Sequence, residues 1–91
     1  ICVLKGAGTL ICDGKQTLLN TSGNSGMASG GMGDVLSGII AALLMQMDKP
    51  IDAVRLAVYI HGQAADIIAA EHGQVGLLAS DLFAKVQYLV N

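Results

Sequence analysis

The sequence predicts an α/β fold in which short strands come first and helices follow. Residues 1–20 contain three short apolar runs separated by glycine-containing turns, which is typical of strands. Residues 34–91 contain longer segments in which apolar residues recur at helical spacing. A glycine-rich stretch, residues 21–33, separates the two parts. Strands followed by helices in so short a chain indicate one edge of a larger α/β sandwich.

Three strands are predicted before the glycine-rich stretch. Residues 1–4 form a continuous apolar run, which indicates a central strand covered on both faces. Residues 9–12 form a second strand, and Asp13 with Gly14 predicts a tight hairpin turn to a third strand at residues 16–20. Because the first two strands are so close in sequence, they are expected to be neighbours in the sheet.

Two helices are predicted directly after the glycine-rich stretch. Residues 34–47 are apolar on nearly every side, and a helix of that kind is usually buried on every side. We therefore expect it to run through the core with its N-terminus at the functional site. A second helix is expected over residues 53–71, with Asp52 as its N-cap and Gly73 just after its C-terminus.

The last predicted helix covers residues 81–90. Ser80 precedes it and is a suitable N-cap. The apolar positions repeat at helical spacing, so four side chains are expected to face the core: Leu82, Val86, Leu89 and Val90.

The composition indicates part of a larger folded unit. The 91 residues are 53% hydrophobic and 13% charged, which is too apolar for a disordered chain and rich for a free-standing domain of this size. The chain opens directly on a strand-like run at Ile1, so we expect residues 1–91 to be a fragment of a single domain. The remaining apolar surface is expected to pack against the rest of that domain or against other subunits of a homo-oligomer.

Charge and hydropathy argue against nucleic-acid and membrane partners. The net charge is −2 and the five basic residues are scattered, so no basic patch is available for a phosphate backbone. The longest apolar run, residues 39–45, is far shorter than the roughly 20 residues of a membrane span. Cys2 and Cys12 lack the spacing of metal ligands and are expected to be buried free thiols in a reducing, cytoplasmic setting.

The glycine-rich stretch has the composition of an anion-binding loop. Glycine allows positive φ and has no Cβ, so backbone N–H groups can approach a phosphate closely. The first turn of the following helix leaves the N–H groups of Gly31, Met32 and Gly33 without intrahelical partners. Asp34 follows at once, and two interpretations stay open: a catalytic base beside a transferring phosphoryl group, or an acid that stabilises the helix dipole. The stretch matches neither the P-loop nor the dinucleotide glycine fingerprint.

Three further side chains are candidates for the same site. Lys5 lies in a second glycine-containing turn, residues 5–8, and is either a surface lysine at a strand end or a site residue. His61 lies on the apolar stripe of the second helix and is interpreted as a core histidine with satisfied hydrogen bonds, because no second metal ligand follows at helical spacing. Asp66 is expected to cap, to pair or to face solvent.

The motifs carry a resemblance to a known family. The Gly-Met-Gly-Asp segment resembles the G-x-G-D anion-hole motif of the ribokinase-like superfamily, whose fold is a three-layer αβα sandwich. The longer string NTSGNSGMASGGMGD at residues 20–34 resembles one branch, the ADP- or ATP-dependent NAD(P)H-hydrate dehydratases. KGAGT at residues 5–9, HGQAAD at residues 61–66 and GLLASDL at residues 76–82 are similar to the same branch. The resemblance implies that residues 1–91 are the C-terminal fragment of one ribokinase-like nucleotide-binding domain.

The resemblance also implies which residues form the site. Gly31, Met32 and Gly33 are expected to act in catalysis as an anion hole, and Asp34 is expected to contact the hydrated nicotinamide substrate as the catalytic base. Thr9 is equally explained as the first residue of a strand. The implied nucleotide-binding residues are Lys5, Gly6, Ala7, Gly8, Thr9, Asn24, Ser25, Gly26, Met27, Ala28, Ser29, Gly30, Gly31, Met32 and Gly33.

The activity that the resemblance implies is the repair of hydrated NADH or NADPH. Family members phosphorylate the hydroxyl of the hydrate and let phosphate leave, which restores the reduced cofactor; a hydroxyl is a poor leaving group until it is phosphorylated. ADP is the expected phosphoryl donor, with ATP as the alternative, and Mg²⁺ is expected to accompany it, although no metal ligand can be named. A fused or partner NAD(P)H-hydrate epimerase is also implied.

Two other functions stay open on the sequence alone. The chain is also compatible with a small-molecule or vitamin-precursor kinase of the same superfamily, such as a thiamine-precursor kinase, that stops at the phosphorylated alcohol. A non-catalytic assembly module that keeps a nucleotide site to stabilise an oligomer is the third possibility.

Overall fold

A computed structural model describes residues 1–6, 8–27 and 30–90 and has the predicted order of strands and helices. The strands are β1 (Cys2–Leu4), β2 (Leu10–Cys12) and β3 (Thr17–Leu19), and they form an antiparallel sheet in the order β1-β2-β3. A 3-10 turn, Ser25–Met27, follows the sheet. The helices are α1 (Met32–Gln46), α2 (Pro50–His72) and α3 (Leu82–Val90). The expected α/β class is confirmed.

The predicted hairpin between β2 and β3 is confirmed, and its turn is stabilised by Asp13. The Asp13 carboxylate accepts hydrogen bonds from the backbone N–H groups of Lys15 and Gln16, both at 2.9 Å. These two hydrogen bonds lower the pKa of Asp13, because they favour the charged form. Gly14 adopts a φ of 91°, which favours glycine. The turn fixes the register in which Cys12 lies opposite Thr17.

The prediction that residues 1–4 form a central strand is wrong for the described chain. β1 lies at the edge of the three-stranded sheet, and its Leu4 side chain is 63% exposed. β2 is the central strand, and its Ile11 is fully buried. Val3 packs against the core cluster that contains Ile11, whereas Cys2 and Leu4, on the opposite face of β1, are exposed. The apolar composition of residues 1–4 therefore indicates that the strand tends to be buried, but it does not indicate the position of the strand in this sheet.

The two cysteines are free, as expected, but the expectation that both are buried is wrong. Cys2 is exposed and Cys12 is half-buried. They lie directly opposite each other in the register of β1 and β2. The Sγ atom of Cys12 accepts a hydrogen bond from the Gly14 N–H at 3.4 Å, and this bond lowers the pKa of the Cys12 thiol.

The prediction that α1 is buried on every side is also wrong for the described residues. Only Met32 and Leu36 of this helix are buried there, and Met45 is 90% exposed. Leu36 packs with Ile11 of the sheet and with Val54 of α2 in one core cluster. One side of α1 therefore contacts α2 and the sheet, while these elements leave its other apolar side open.

α2 begins three residues earlier than predicted, at Pro50, and ends one residue later than predicted, at His72. Pro50 occupies the first turn and Lys49 is the N-cap, so the expectation that Asp52 is the N-cap is wrong. Proline is favoured at this position because its φ already suits a helix and its missing N–H has no helical partner. Gly73, with a φ of 82°, follows the C-terminus and donates its N–H to the Ala69 carbonyl at 2.8 Å.

α3 is preceded by a 3-10 turn, Ala79–Asp81, and the expectation that Ser80 caps it is wrong. Asp81 stabilises this turn instead, because its carboxylate accepts the Leu78 N–H at 2.9 Å. Leu82 is fully buried and joins a second core cluster with Ala64, Ala65 and Ile68 of α2. Val86 and Leu89 pack against that cluster as predicted. The fourth predicted core residue, Val90, is 50% exposed, so that expectation is wrong.

No helix in the part of the chain that the structure describes is long and apolar enough to cross a membrane.

Candidate functional site

A cavity of about 680 Å³ lies between the loop after β1, the loop after β3 and the two long helices. α1 contributes Met32 and Leu36, and α2 contributes Val58, His61 and Gly62. The structure thereby brings together parts of the chain that are far apart in sequence. The predicted nucleotide-binding residues that line the cavity are Lys5, Gly6, Gly8, Thr9, Asn24, Met27 and Met32.

The loop after β1 is held by one hydrogen bond within the loop and by one from the residue that follows β3. The Thr9 hydroxyl donates to the Gly6 carbonyl at 3.2 Å, and the Asn20 N–H donates to the Thr9 carbonyl at 2.8 Å. The Lys5 ammonium nitrogen lies 3.9 Å from the point where a Cβ on Gly33 would stand. Lys5 thus places its positive charge beside the first turn of α1, which favours the site interpretation over that of an unrelated surface lysine.

Residues 22–27, which we call the loop segment, are held by hydrogen bonds to α2 and to one another. The Gly23 N–H donates to Asp66 Oδ2 and the Asn24 side-chain amide donates to Asp66 Oδ1, both at 2.9 Å. Asn24 Oδ1 in turn accepts the Gly26 N–H at 2.9 Å. The Ser22 hydroxyl donates to the Tyr59 carbonyl at 3.0 Å. Both polar ends of Asn24 therefore act in shaping the loop.

Residues 31–34, which we call the helix start, form the beginning of α1. Gly31 is the N-cap with a φ of 88°, and its carbonyl accepts the Val35 N–H at 3.1 Å. The first N–H groups of an α-helix have no partner within the helix and carry the positive end of its dipole. Met32 is buried and contacts the cavity, whereas Asp34 is exposed in the first turn. The helix start thus lies at the end of α1 where the anion-hole interpretation places its N–H donors.

Several predicted site residues lie away from the cavity wall. Gly33 does not line the cavity, but a Cβ on it would stand 3.9 Å from the ammonium nitrogen of Lys5, which does line it. Ser25 and Gly26 belong to the 3-10 turn, and a Cβ on Gly26 would stand only 2.7 Å from the Gln74 carbonyl oxygen. Gly30, Gly31 and Asp34 are exposed beside the start of α1. The predictions for Ala7, Ala28 and Ser29 lie outside the described residues.

His61 lies against the cavity, and the expectation that its hydrogen bonds are satisfied is wrong. Its side chain is 4% exposed, and Nε2 has no hydrogen-bond partner among the described residues. Burial lowers the pKa of His61 and the nearby Lys5 charge lowers it further, while a hydrogen bond with the Met32 backbone works in the opposite direction. The neutral imidazole is therefore favoured, with an unused nitrogen beside the cavity.

Sequence reasoning missed how α2 holds the loop segment. The sequence alone leaves Asp66 open between capping, pairing and facing solvent, and its two partners are 42 and 43 residues away in sequence. Gly62 lies against Ser22: a Cβ there would stand 2.8 Å from the Ser22 carbonyl carbon and 2.9 Å from the Gly23 nitrogen. Gly62 and Asp66 are four residues apart, so they share one face of the helix. That spacing was the signal available in the sequence.

No group of three or more His, Cys, Asp or Glu side chains within the described ranges is arranged to hold a metal ion. Magnesium in phosphoryl-transfer sites is commonly held by one or two carboxylates together with substrate phosphates. The described residues therefore do not form a metal site made of protein alone.

The fold and the site define a ribokinase-like α/β protein. A solved structure of a ribokinase-like superfamily protein from Enterococcus faecalis is 39% identical to this chain and has a TM-score of 0.82 over 97% of it, covering 31% of that structure. The crystal structure of the ADP/ATP-dependent NAD(P)H-hydrate dehydratase from Bacillus subtilis, co-crystallised with ATP/Mg²⁺, is 40% identical. It has a TM-score of 0.90 over 97% of this chain and 32% of that one.

The chain belongs to the NAD(P)H-hydrate dehydratase family. The model of that family matches residues 1–88. The bifunctional NAD(P)H-hydrate repair enzyme Nnr of Vibrio cholerae is 56% identical over 91 residues, which is all of this chain and 18% of that protein. The resemblance read from the motifs is thereby confirmed. The chain spans under a fifth of the length of this curated relative and about a third of the two solved structures.

Proposed function

We propose that the protein containing this chain restores NADH or NADPH from their hydrates at the expense of ADP or ATP. The observation that carries the proposal is the family match over residues 1–88, which includes both glycine segments that meet at the cavity. The names of the Vibrio and Bacillus relatives, a repair enzyme and an ADP/ATP-dependent dehydratase, support the same activity.

Each part of the site has a role in this proposal. The nucleotide lies in the cavity between residues 5–9, which we call the Lys5 loop, and the loop segment. Its reacting phosphate lies at the N–H groups of Gly31, Met32 and Gly33, where the helix dipole and the Lys5 charge stabilise negative charge. Asp34, exposed in the first turn beside these donors, takes the proton from the hydroxyl of the hydrate as that oxygen attacks phosphorus. AMP or ADP is released in this transfer. Phosphate then leaves with the electron pair of the C–O bond, the neighbouring ring carbon loses a proton, and the double bond of the reduced nicotinamide is restored.

Cofactor and partners follow from the same proposal. ADP is the proposed donor and Mg²⁺ the proposed ion; the Bacillus relative was crystallised with ATP/Mg²⁺, which supports a nucleotide with a divalent ion. A fused or partner epimerase, a homo-oligomer and a cytoplasmic location stay predictions. The word bifunctional in the name of the Vibrio relative supports a second activity on the same polypeptide.

The proposed activity is tested with the intact protein, NADH hydrate and either ADP or ATP. Regeneration of NADH, followed by its absorbance, is expected with at least one of the two nucleotides. A stable phosphorylated hydrate without NADH would instead favour a kinase that stops at the phosphorylated alcohol. If neither NADH nor a phosphorylated product forms with either nucleotide, the proposal is wrong.

A further inference from the structure

The loop segment contacts one element of the fold that none of the nucleotide-site predictions included, which is the middle of α2. Asp66 is half-buried there and accepts two hydrogen bonds from the loop segment, one from the Gly23 backbone and one from the Asn24 side chain. Gly62, one turn earlier on the same face, lies against Ser22 and Gly23 without a Cβ between them. The loop segment is therefore joined to α2 by two hydrogen bonds, and beside them the two backbones approach each other closely.

The link continues from α2 to the cavity through Asn24. The Asn24 amide donates to Asp66, and its carbonyl oxygen Oδ1 accepts the Gly26 N–H at 2.9 Å. The Asn24 backbone carbonyl also accepts the Met27 N–H at 3.2 Å. Asn24 and Met27 both line the cavity, whereas Asp66 does not. A change at Asp66 is thus transmitted to the cavity through its two hydrogen-bond partners, Gly23 and Asn24, which both line it.

We propose that Asp66 is a positioning residue that holds the nucleotide-facing loop segment in its binding conformation through Asn24 and the Gly23 N–H. This inference rests on the nucleotide site of the proposed function. Gly23 has a φ of 106°, so its N–H points at α2 only in a backbone conformation that needs glycine. An anchored loop enters the complex with its shape already fixed, and less conformational freedom is lost when the ligand binds.

The hydrogen-bond pattern allows a sharp test by exchange of the two side chains. In Asp66→Asn the new amide must direct its NH₂ group at one of two donors, either the Gly23 N–H or the Asn24 NH₂. In Asn24→Asp two carboxylates face each other. In the double variant Asn24→Asp with Asp66→Asn, the new amide accepts from Gly23 and donates to the new carboxylate. That carboxylate can still accept the Gly26 N–H, so all three hydrogen bonds can be made.

The test measures ADP and ATP dissociation constants, kcat and the melting temperature of the intact protein. Each single variant is expected to raise the nucleotide dissociation constant about tenfold or more. For Asp66→Asn, at a residue that does not line the cavity, kcat at saturating nucleotide is expected to change by less than about threefold. The double variant is expected to bind within about threefold of the wild type. The matched control is Glu71→Gln, which also removes a carboxylate from α2. The Glu71 carboxylate lies 2.8 Å from the Lys85 ammonium group, and this variant is expected to bind nucleotide like the wild type.

The outcomes separate this inference from the proposed function. A wild-type protein that binds neither ADP nor ATP overturns the nucleotide site itself. If the wild type binds and Asp66→Asn binds equally well, or the double variant binds no better than the single ones, the positioning role is wrong. If Asp66→Asn does not yield folded protein, Asn24→Ala removes the same link from the loop side and must weaken nucleotide binding to a similar extent. Unchanged binding by a folded Asn24→Ala variant would also overturn the inference.

Discussion

The loop segment and the helix start are both rich in glycine, and the structure stabilises them in different ways. In the loop segment the Gly23 and Gly26 N–H groups have acceptors supplied by Asp66 and Asn24. In the helix start, the N–H groups lie at the end of α1, where the helix supplies no acceptor. The comparison teaches that one glycine cluster is shaped by hydrogen bonds before any ligand arrives. The other lies at a helix N-terminus, where the helix dipole favours a negatively charged group.

The largest effect is expected at the helix start, in Asp34→Asn. This change removes the proposed base and leaves the loop segment untouched, so kcat is expected to fall about 10²- to 10⁴-fold. The dissociation constant for ADP or ATP is expected to stay within about threefold. Steady-state kinetics and equilibrium titration check the two values. Wild-type turnover in this variant would show that Asp34 only stabilises the helix dipole. The helix start would then differ from the loop segment in its hydrogen bonding but not in a catalytic role.

The next largest effect is expected in the contact that shapes the loop segment, in Gly62→Ala. A Cβ at this position would stand 2.8 and 2.9 Å from backbone atoms of Ser22 and Gly23, so α2 and the loop segment must separate. The free energy of unfolding is expected to fall by about 1–3 kcal/mol, and nucleotide affinity is expected to fall with it. Denaturant unfolding and nucleotide titration measure both.

Gly38→Ala is the matched control for that variant, because a Cβ on Gly38 meets no atom within 4 Å. In the middle of α1, alanine is expected to be neutral or to stabilise by up to about 1 kcal/mol. Equal destabilisation by the two changes would contradict the close-approach explanation.

A smaller effect is expected from Gly31→Ala at the N-cap of α1. The φ of 88° is strained for alanine, and its Cβ would stand 3.3 Å from the Cβ of Ala79. We expect a loss of about 1–2 kcal/mol in the free energy of unfolding, with a larger loss in kcat than in nucleotide affinity. The ratio of the loss in kcat to the loss in nucleotide affinity checks whether the helix start acts mainly in catalysis. A loss confined to affinity would mean that the helix start and the loop segment act as one unit.

The smallest effect is expected in the pH dependence of stability at His61, whose side chain lies between the two regions. Its pKa in the folded protein is lowered from the ordinary value of 6.5, so the unfolded chain binds a proton more readily than the folded one. Stability is therefore expected to fall as the pH drops below about 6.5. His61→Phe is expected to show a weaker dependence in that range. Melting temperatures at a series of pH values compare the two proteins, and identical profiles would contradict the assignment.

Local chemistry explains which elements the sequence predicted correctly. Asp13 and Gly14 contain in two residues what the β2–β3 turn needs, and Gly73 likewise marks the end of α2. The burial of β1 and α1 was predicted wrongly because coverage depends on what packs against an element, and apolar composition does not state it. Seven of the residues predicted from the two glycine segments line the cavity, because the fold brings those segments together there; their roles stay predictions. Asp66 was missed because its hydrogen bonds cross more than 40 residues of sequence.

The arrangement of Cys2 and Cys12 makes the pairing of β1 with β2 chemically addressable. Opposite residues of antiparallel strands have their Cα atoms about 4.5–5.5 Å apart, and both thiols are free here. A short bifunctional thiol reagent is therefore expected to bridge them at a rate that changes when the two strands separate. Since the Lys5 loop connects these strands, the rate of bridging would show whether the two strands that hold the loop are paired. No substrate or nucleotide is needed for this measurement.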